Sequence, residues 1–320
     1  MIPMQEYHET RLEKDLKELR ERPALKTSIT GLNNVLGGGL YAGLTIIAAV
    51  PSAGKTTLCI QIADDIARNE SAAEGLPVLY YSLETSAAEM LARSCSREAA
   101  IIANLPAAEN ELQAEINNCF SAADFIYKAG GKNRIEAEMR YKSIEANLFF
   151  EDRAKPIFGS SNSVEADIIE INKSKGKRPA VIIDYLQLFS DRLDNGQKDE
   201  RTALKLICSD LEKLAKQYHI QILCISSMNR DSYDKGKEFS SLHGSNSLEY
   251  SADVILTLDF SARGEGFNFD DEAAKPCRKM KIRTLKNRYA VQRGEAELDY
   301  LPRVNLFRDS PTISSTKKPF

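Results

Sequence analysis

The sequence predicts an α/β fold: a mostly parallel, twisted sheet flanked by helices, with antiparallel strands added at its C-terminal end. Three observations carry that prediction. From Thr30 onward, short β-rich apolar runs alternate with helical stretches, as in parallel strands joined by crossover helices. Each run is nearly continuous in apolar residues, as expected for strands covered on both faces. After residue 260 the pattern changes to shorter segments that read as antiparallel strands appended to the sheet.

Taken in chain order, residues 5–22 read as a helix with Leu12, Leu16 and Leu19 on one narrow stripe among charges, stopped by Pro23. The stripe is too small to carry a core, so it needs a partner surface, either its own domain or a neighbouring subunit. The predicted strands of the sheet are TIIAAV (45–50), PVLYYSL (77–83), NLFF (147–150), PAVIIDYLQL (179–188), IQILCIS (220–226) and ADVILTL (252–258). Residues 87–145 lack strand signal and are rich in Ala, Glu, Asn and Lys, which predicts helices broken near Gly130 and Gly131. The appended strands are KMKIRTL, AELDY and VNLF, and the tail SPTISSTKKPF, without a core-forming pattern, is expected to be disordered. The expected division is an N-terminal helix over 1–25, a main domain over 26–309 and a tail over 310–320.

At 320 residues and 42% hydrophobic content, the chain can bury a substantial core without covalent staples. The six cysteines (Cys59, Cys95, Cys119, Cys208, Cys224, Cys277) form no C-x-x-C pair and approach no histidine at ligand spacing. They read as buried thiols in a reducing compartment. The N-terminus is too charged for a signal peptide, and no apolar run reaches the ~18 residues that span a bilayer, so a cytoplasmic location is expected. A net charge of -3 means that any nucleic-acid affinity must come from a local patch.

The strongest chemical signal is A-V-P-S-A-G-K-T-T, residues 49–57, between a predicted strand and a predicted helix. Such a loop turns backbone N–H groups inward, and the following helix presents the positive end of its dipole to phosphates. Pro51, Ser52, Ala53, Gly54, Lys55, Thr56 and Thr57 are therefore the expected cradle for the β- and γ-phosphates of ATP. Gly54 permits the close approach, Lys55 supplies the charge, and the Thr56 hydroxyl can join the shell of Mg²⁺. Asp184 ends an apolar run at the carboxyl end of a strand, where α/β sheets bind ligands, and is the candidate second anchor for Mg²⁺. Glu84 follows the run YYSL and is the candidate general base for an attacking water. Four glycines between Gly37 and Gly43 read mainly as a turn, with tight packing near the nucleotide as a secondary possibility.

These residues resemble one family in particular, the DnaB-type hexameric replicative helicases, which share a RecA-like ATPase core. The segments that carry the resemblance are T-G-L with L-G-G-G-L, P-S-A-G-K-T, Y-S-L-E-T-S, I-I-D-Y-L-Q-L, I-S-S-M-N-R, L-E-Y-S-A-D-V and L-K-N-R, in that order over residues 27–309. The resemblance implies a RecA-like P-loop NTPase fold, Glu84 as the catalytic glutamate and Asp184 as the second acidic motif. It also implies that Lys286 and Arg288 act in trans on the ATP of an adjacent subunit, whereas the residues alone read as two members of a basic face. Eight Lys or Arg and no acid lie between Lys275 and Arg293.

The chain departs from the family pattern in three places. Ser227 stands where the family carries a glutamine that senses the γ-phosphate, and His243-Gly244-Ser245-Asn246 replaces a basic, glutamate-bearing loop that grips DNA. Only about 25 residues precede the motor, so the chain resembles a stand-alone motor domain with a linker helix that docks on the next protomer. Two polar loops at carboxyl ends of strands are candidates for single-stranded DNA contact: one with Arg192, Lys198 and Arg201, the other with Arg230, Lys235 and Lys237. As loops that also contain aspartates, they read equally as solvated surface. The expected function is an ATP-hydrolysing ring, a hexamer, that translocates on single-stranded DNA with a primase or helicase loader as partner. The alternatives are an assembly switch or recombination factor that never unwinds, and a nucleotide-binding scaffold for a primase or initiator.

Overall fold

The structure, a computed structural model, describes residues 3–20, 24–68, 75–106, 109–128, 131, 133–151, 161–186, 200–228, 251–262, 267–290 and 294–311. One sheet of nine strands organises it: β1 (Gly43–Ala49), β2 (Val78–Ser82), β3 (Leu148–Glu151), β4 (Ala180–Asp184), β5 (Gln221–Ser227), β6 (Val254–Phe260), β7 (Arg278–Asn287), β8 (Glu295–Leu301) and β9 (Leu306–Asp309). Their spatial order is β3-β2-β4-β5-β1-β6-β7-β8-β9. The first six run parallel and the last three antiparallel, as the apolar runs predict. All seven residues of β1 and of β6 are buried, because helices or strands cover both of their faces.

Helices α3 (Thr30–Leu36), α4 (Lys55–Arg68), α5 (Ala87–Ile102) and α8 (Arg134–Glu145) contribute to one apolar layer, which also takes in Met280, Ile282, Leu298 and Phe307 of the antiparallel strands. Helices α9 (Ser161–Lys175) and α10 (Glu200–Tyr218) fill the opposite layer, with Val164, Ile168, Leu204 and Leu211 at its centre. Between α5 and α8 lie α6 (Glu109–Asn118) and α7 (Ala122–Tyr127), so the segment over 87–145 is helical as expected. Of the two glycines expected to break it, Gly131 lies between α7 and α8, while Gly130 is outside the described residues. A short helix, α11 (Phe269–Ala274), precedes β7.

The helix expected over 5–22 is two helices, α1 (Met4–Thr10) and α2 (Leu12–Arg20). Arg11 leaves helical geometry, with φ -126° and ψ -29°, and the Tyr7 hydroxyl donates to Asp15 across the break at 2.7 Å. Leu12 and Leu16 are half-buried; the side chain of Leu19, Pro23 and most of the C-terminal tail lie outside the described residues.

The glycines at 37–43 are a turn and a packing site away from the phosphate loop. Gly37 closes α3 in the left-handed region at φ 83°, and a Cβ on Gly43 would come within 2.6 Å of Asp253 and of the Tyr289 hydroxyl, at the start of β1. That turn sits at the opposite end of β1 from residues 50–54, so these glycines do not pack against the phosphate loop of their own chain.

An ionic network ties α4 to α5. Arg97 and Asp64 form a fully buried ion pair, Arg68 meets Glu98 at 2.7 Å, and Arg140 of α8 meets Glu98 at 3.2 Å. Burial raises the Asp64 carboxyl to about 6, with Arg97 and a hydrogen bond from Ser94 pulling it back. Because α4 begins at Lys55 and α5 begins just after Glu84, the network fixes the two helices that carry the candidate chemistry. Of the six free cysteines, five are buried and Cys277 is half-buried. No helix among the described residues is long and apolar enough to cross a membrane, and none of their His, Cys, Asp and Glu side chains group as a metal cluster.

Candidate active site

The phosphate loop connects the end of β1 to the start of α4. Ser52 and Gly54 both have positive φ, 60° and 85°, which folds the backbone into a tight turn ahead of the helix. The Gly54 position is fixed by packing as well as by dihedral angle. A Cβ there would lie 2.7 Å from Tyr300 Cε1 and 2.9 Å from Phe307 Cζ. These two rings stack at 4.3 Å, with an interplanar angle of 5°, and form a floor under the loop. Arg278 completes the support: its Nη1 donates to the Ser52 carbonyl at 2.7 Å, and its guanidinium lies 5.6 Å from the Tyr300 centroid. Sequence reading missed Arg278, Tyr300 and Phe307, because floor and loop are more than 220 residues apart in the chain and only the antiparallel strands bring them together. The one available signal was the basic residue opening β7.

The sheet brings the acidic candidates to the same crevice. Strands β2 and β4 are neighbours, with Ser82 in register with Asp184, and Glu84 follows two residues beyond Ser82. Asp184 is 3% exposed, while Glu84 is exposed to solvent. Asp184 accepts a hydrogen bond from the Tyr80 hydroxyl at 3.1 Å, and the Thr56 hydroxyl lies near enough to favour its charged form. Burial raises the Asp184 carboxyl above its ordinary range; Thr56, Tyr80 and the charge of Lys55 oppose that rise, and the Glu84 charge adds to it. Burial lowers Lys55 in turn, and the charges of Asp184 and Glu84 oppose that shift. Lys55, Asp184 and Glu84 are thus electrostatic neighbours. The Lys55 ammonium donates to the Ser227 hydroxyl at 3.2 Å, so the residue that departs from the family pattern touches the loop lysine directly.

A threonine hydroxyl near a buried carboxylate, beside a lysine and the N-terminus of a 14-residue helix, is an oxygen-only donor set next to positive charge. It suits a hard divalent cation together with a phosphate chain.

Lys286 and Arg288 lie elsewhere. Strand β7 runs antiparallel to β6, so Arg278 at its start meets the phosphate loop, and Lys286 near its end is in register with Ile255 near the start of β6. Arg288 follows and donates to Asp253 at 2.7 Å, with Glu212 at 3.8 Å; the other Asp253 oxygen accepts from Leu44 N at 3.0 Å, at the base of β1. A seven-residue strand, about 20 Å long, separates these two cations from the loop of their own chain.

The run of basic residues around them is not a basic face. Lys279, Lys281 and Arg283 are in register with Asp299, Glu297 and Glu295 of β8, a cross-strand ladder of opposite charges. Lys279 reaches the fully buried Asp299 at 2.9 Å.

The candidate DNA contacts Arg192, Lys198, Arg230, Lys235 and Lys237 lie outside the described residues, as does the loop at 243–246; Arg201 is on α10, with its side chain undescribed. The segments that contain them follow β4 and β5 in the chain, and those two strands end on the same side of the sheet as β1, which leads into the phosphate loop.

Comparison with known proteins gives a consistent picture. Residues 24–309 match the model of the DnaB-like helicase C terminal domain. Among curated relatives, a probable replicative DNA helicase of Trieres chinensis is 26% identical over 265 residues, covering 81% of this chain and 52% of that protein. A probable plasmid replicative DNA helicase of Chlamydia muridarum is 29% identical over 241 residues, covering 72% of this chain and 46% of that protein. The chain spans about half the length of the curated relatives it matches. Two solved structures share the fold at 19% identity. One is an ATPase domain with a TM-score of 0.71, covering 95% of this chain and 98% of that one. The other is a DnaB-like replicative helicase, with a TM-score of 0.69, covering 96% of this chain and 71% of that one. The strand order, the phosphate loop and the match over nearly the whole chain lead to one assignment: the chain belongs to the family of the DnaB-like helicase C-terminal domain.

Proposed function

We propose that this chain is the ATP-driven motor of a DNA helicase, acting as a homo-oligomeric ring, a hexamer, on single-stranded DNA. The observation that carries the reading is the division of catalytic parts between opposite ends of the sheet. Lys55, Thr56, Asp184 and Glu84 gather at the carboxyl ends of β1, β2 and β4, while Lys286 and Arg288 sit about 20 Å away. A chain arranged in this way holds the two halves of a site that only a neighbour completes.

In this reading residues 50–57 cradle the triphosphate, with backbone N–H groups and the α4 dipole facing the phosphates. Thr56 and Asp184 hold Mg²⁺, which supplies neutralisation of charge on the β- and γ-phosphoryl oxygens. Glu84 orients a water and accepts its proton as the water oxygen bonds the γ-phosphorus and the bridging oxygen departs with ADP. Lys286 and Arg288 of one subunit reach the phosphates bound by the next, where a fixed guanidinium is effective only when the interface closes. Arg288 must then exchange its bond to Asp253 for the phosphate. DNA contact is assigned to the segments carrying Arg192, Lys198, Arg201, Arg230, Lys235 and Lys237, which follow strands that end at the site. The half-buried stripe of α2 is assigned to the neighbouring subunit. Residues 26–309 form the motor, with 1–25 as the linker, 310–320 as a tail, the cytoplasm as location and a primase or loader as external partner.

A second reading is supported by the Ser227 hydroxyl on Lys55. A shorter side chain than glutamine senses the γ-phosphate less well, which suits an assembly switch or scaffold that binds nucleotide without unwinding. Strand displacement on a forked duplex separates the two: ATP-dependent unwinding supports the helicase, and robust turnover without unwinding supports the switch. The shared site is tested by mixing Arg288→Ala with Lys55→Ala subunits. Interfaces that pair one intact half from each should regain ATP turnover, and no recovery at any ratio would overturn the arrangement.

A further inference from the structure

We propose that Tyr80 is a positioning residue for the Asp184 carboxylate, holding one of its oxygens so that the other faces the cation shared with Thr56. The proposal rests on the assignment of Asp184 to the metal. Tyr80 is in register with Ile182 of β4 on one side and Phe150 of β3 on the other. Asp184 lies two residues beyond Ile182, on the same face of the pleat and about 6.6 Å further along the strand. A tyrosine is the aromatic side chain whose polar tip covers that distance. Its hydroxyl donates to Asp184 Oδ2 at 3.1 Å, its ring is fully buried and its face tilts against Phe150 at 5.8 Å, so the donor is fixed on both sides.

A buried hydroxyl needs an acceptor in any case, and satisfying that need would by itself account for the bond. What singles out this one is the acceptor's situation. Asp184 is buried, Tyr80 donates to it at 3.1 Å, and the nearby Thr56 hydroxyl is the group that a cation would claim. On metal binding Tyr80 is then the hydrogen bond left to orient the carboxylate. Outer partners of this type typically change metal affinity by about 10–100-fold when removed.

Tyr80→Phe keeps the ring and deletes the donor. Mn²⁺ replaces Mg²⁺ as the spectroscopic probe, and its affinity for the protein with a non-hydrolysable ATP analogue is read by electron paramagnetic resonance. The expected result is an affinity about 10-fold weaker than wild type, with the analogue's affinity in EDTA unchanged and kcat at saturating Mg²⁺ within about twofold. Asp184→Asn supplies the second measurement: adding Tyr80→Phe to it should weaken Mn²⁺ no further, as expected of one linked pair. Equal Mn²⁺ affinity in wild type and Tyr80→Phe, or full additivity in the double variant, would overturn the positioning role while leaving the ATPase reading intact. A wild-type protein without Mn²⁺-dependent analogue binding would overturn both.

Discussion

Replacing Arg97 with methionine should destabilise the protein in a strongly pH-dependent way. Methionine fills most of the volume but leaves the Asp64 carboxylate buried without its cationic partner. In the native protein the Asp64 carboxyl stands at about 6 against 3.8 for an ordinary aspartate, so the folded state binds the extra proton between those values. Folding stability from this group is therefore fully present below pH 3.8 and falls as pH rises to about 6, by a total of about 3 kcal/mol. Arg97 limits that loss. Without it the carboxyl rises further, and the loss continues above pH 6. Breaking a buried pair by removing one partner costs about 3–5 kcal/mol, which sets the expected deficit of Arg97→Met at pH 8. At pH 5.5, where Asp64 is mostly protonated in both proteins, the deficit should shrink to about 1 kcal/mol of lost packing. Urea unfolding of wild type and variant at the two pH values measures the difference directly. Asp64→Leu combined with Arg97→Met should restore most of the stability at pH 8, since no unpaired charge remains. An equal deficit at both pH values, or one below about 1 kcal/mol at pH 8, would refute the reasoning.

Glu84→Gln should lower ATP turnover by about 10²–10⁴-fold while leaving nucleotide binding intact; equal rates in variant and wild type would remove Glu84 from the chemistry. Gly54→Ala should cost roughly 2–5 kcal/mol in thermal or urea unfolding, from left-handed strain plus overpacking against Tyr300 and Phe307, and should weaken nucleotide binding. Asp299→Ala should cost roughly 1.5–3 kcal/mol, because Lys279 and Arg308 lose their shared carboxylate, and raising salt should narrow the gap to wild type only slightly, since that carboxylate is buried.

Much of the sheet is legible in the residues. A parallel strand buried on both faces reads as an unbroken apolar run, so each of the six parallel strands lies within a few residues of its expected place. The phosphate loop is equally legible, because Lys55, Thr56 and Gly54 are neighbours in the chain and their spacing is the motif. What is not legible depends on partners far apart in sequence. The basic run over 275–293 reads as a cationic face until the register of β7 against β8 sets Glu295, Glu297 and Asp299 opposite it. Tyr80 reads as one more aromatic in a strand until β2 and β4 are set side by side. The helix expected over 5–22 divides at Arg11 although no Gly or Pro marks the point, and the residue type offers no account of it.

The strand that carries the phosphate loop is also the one most deeply enclosed. β1 is paired along its length with β5 and over most of it with β6, whereas β3 and β9 are the rims of the sheet. Amide hydrogens at a rim exchange with solvent through small local openings, but those of a central strand exchange only when the whole domain comes apart. The phosphate loop is therefore joined to the part of the sheet expected to open last. Its geometry is expected to outlast fraying at either rim, so a group held by residues 50–57 would keep its contacts while β3 or β9 opens.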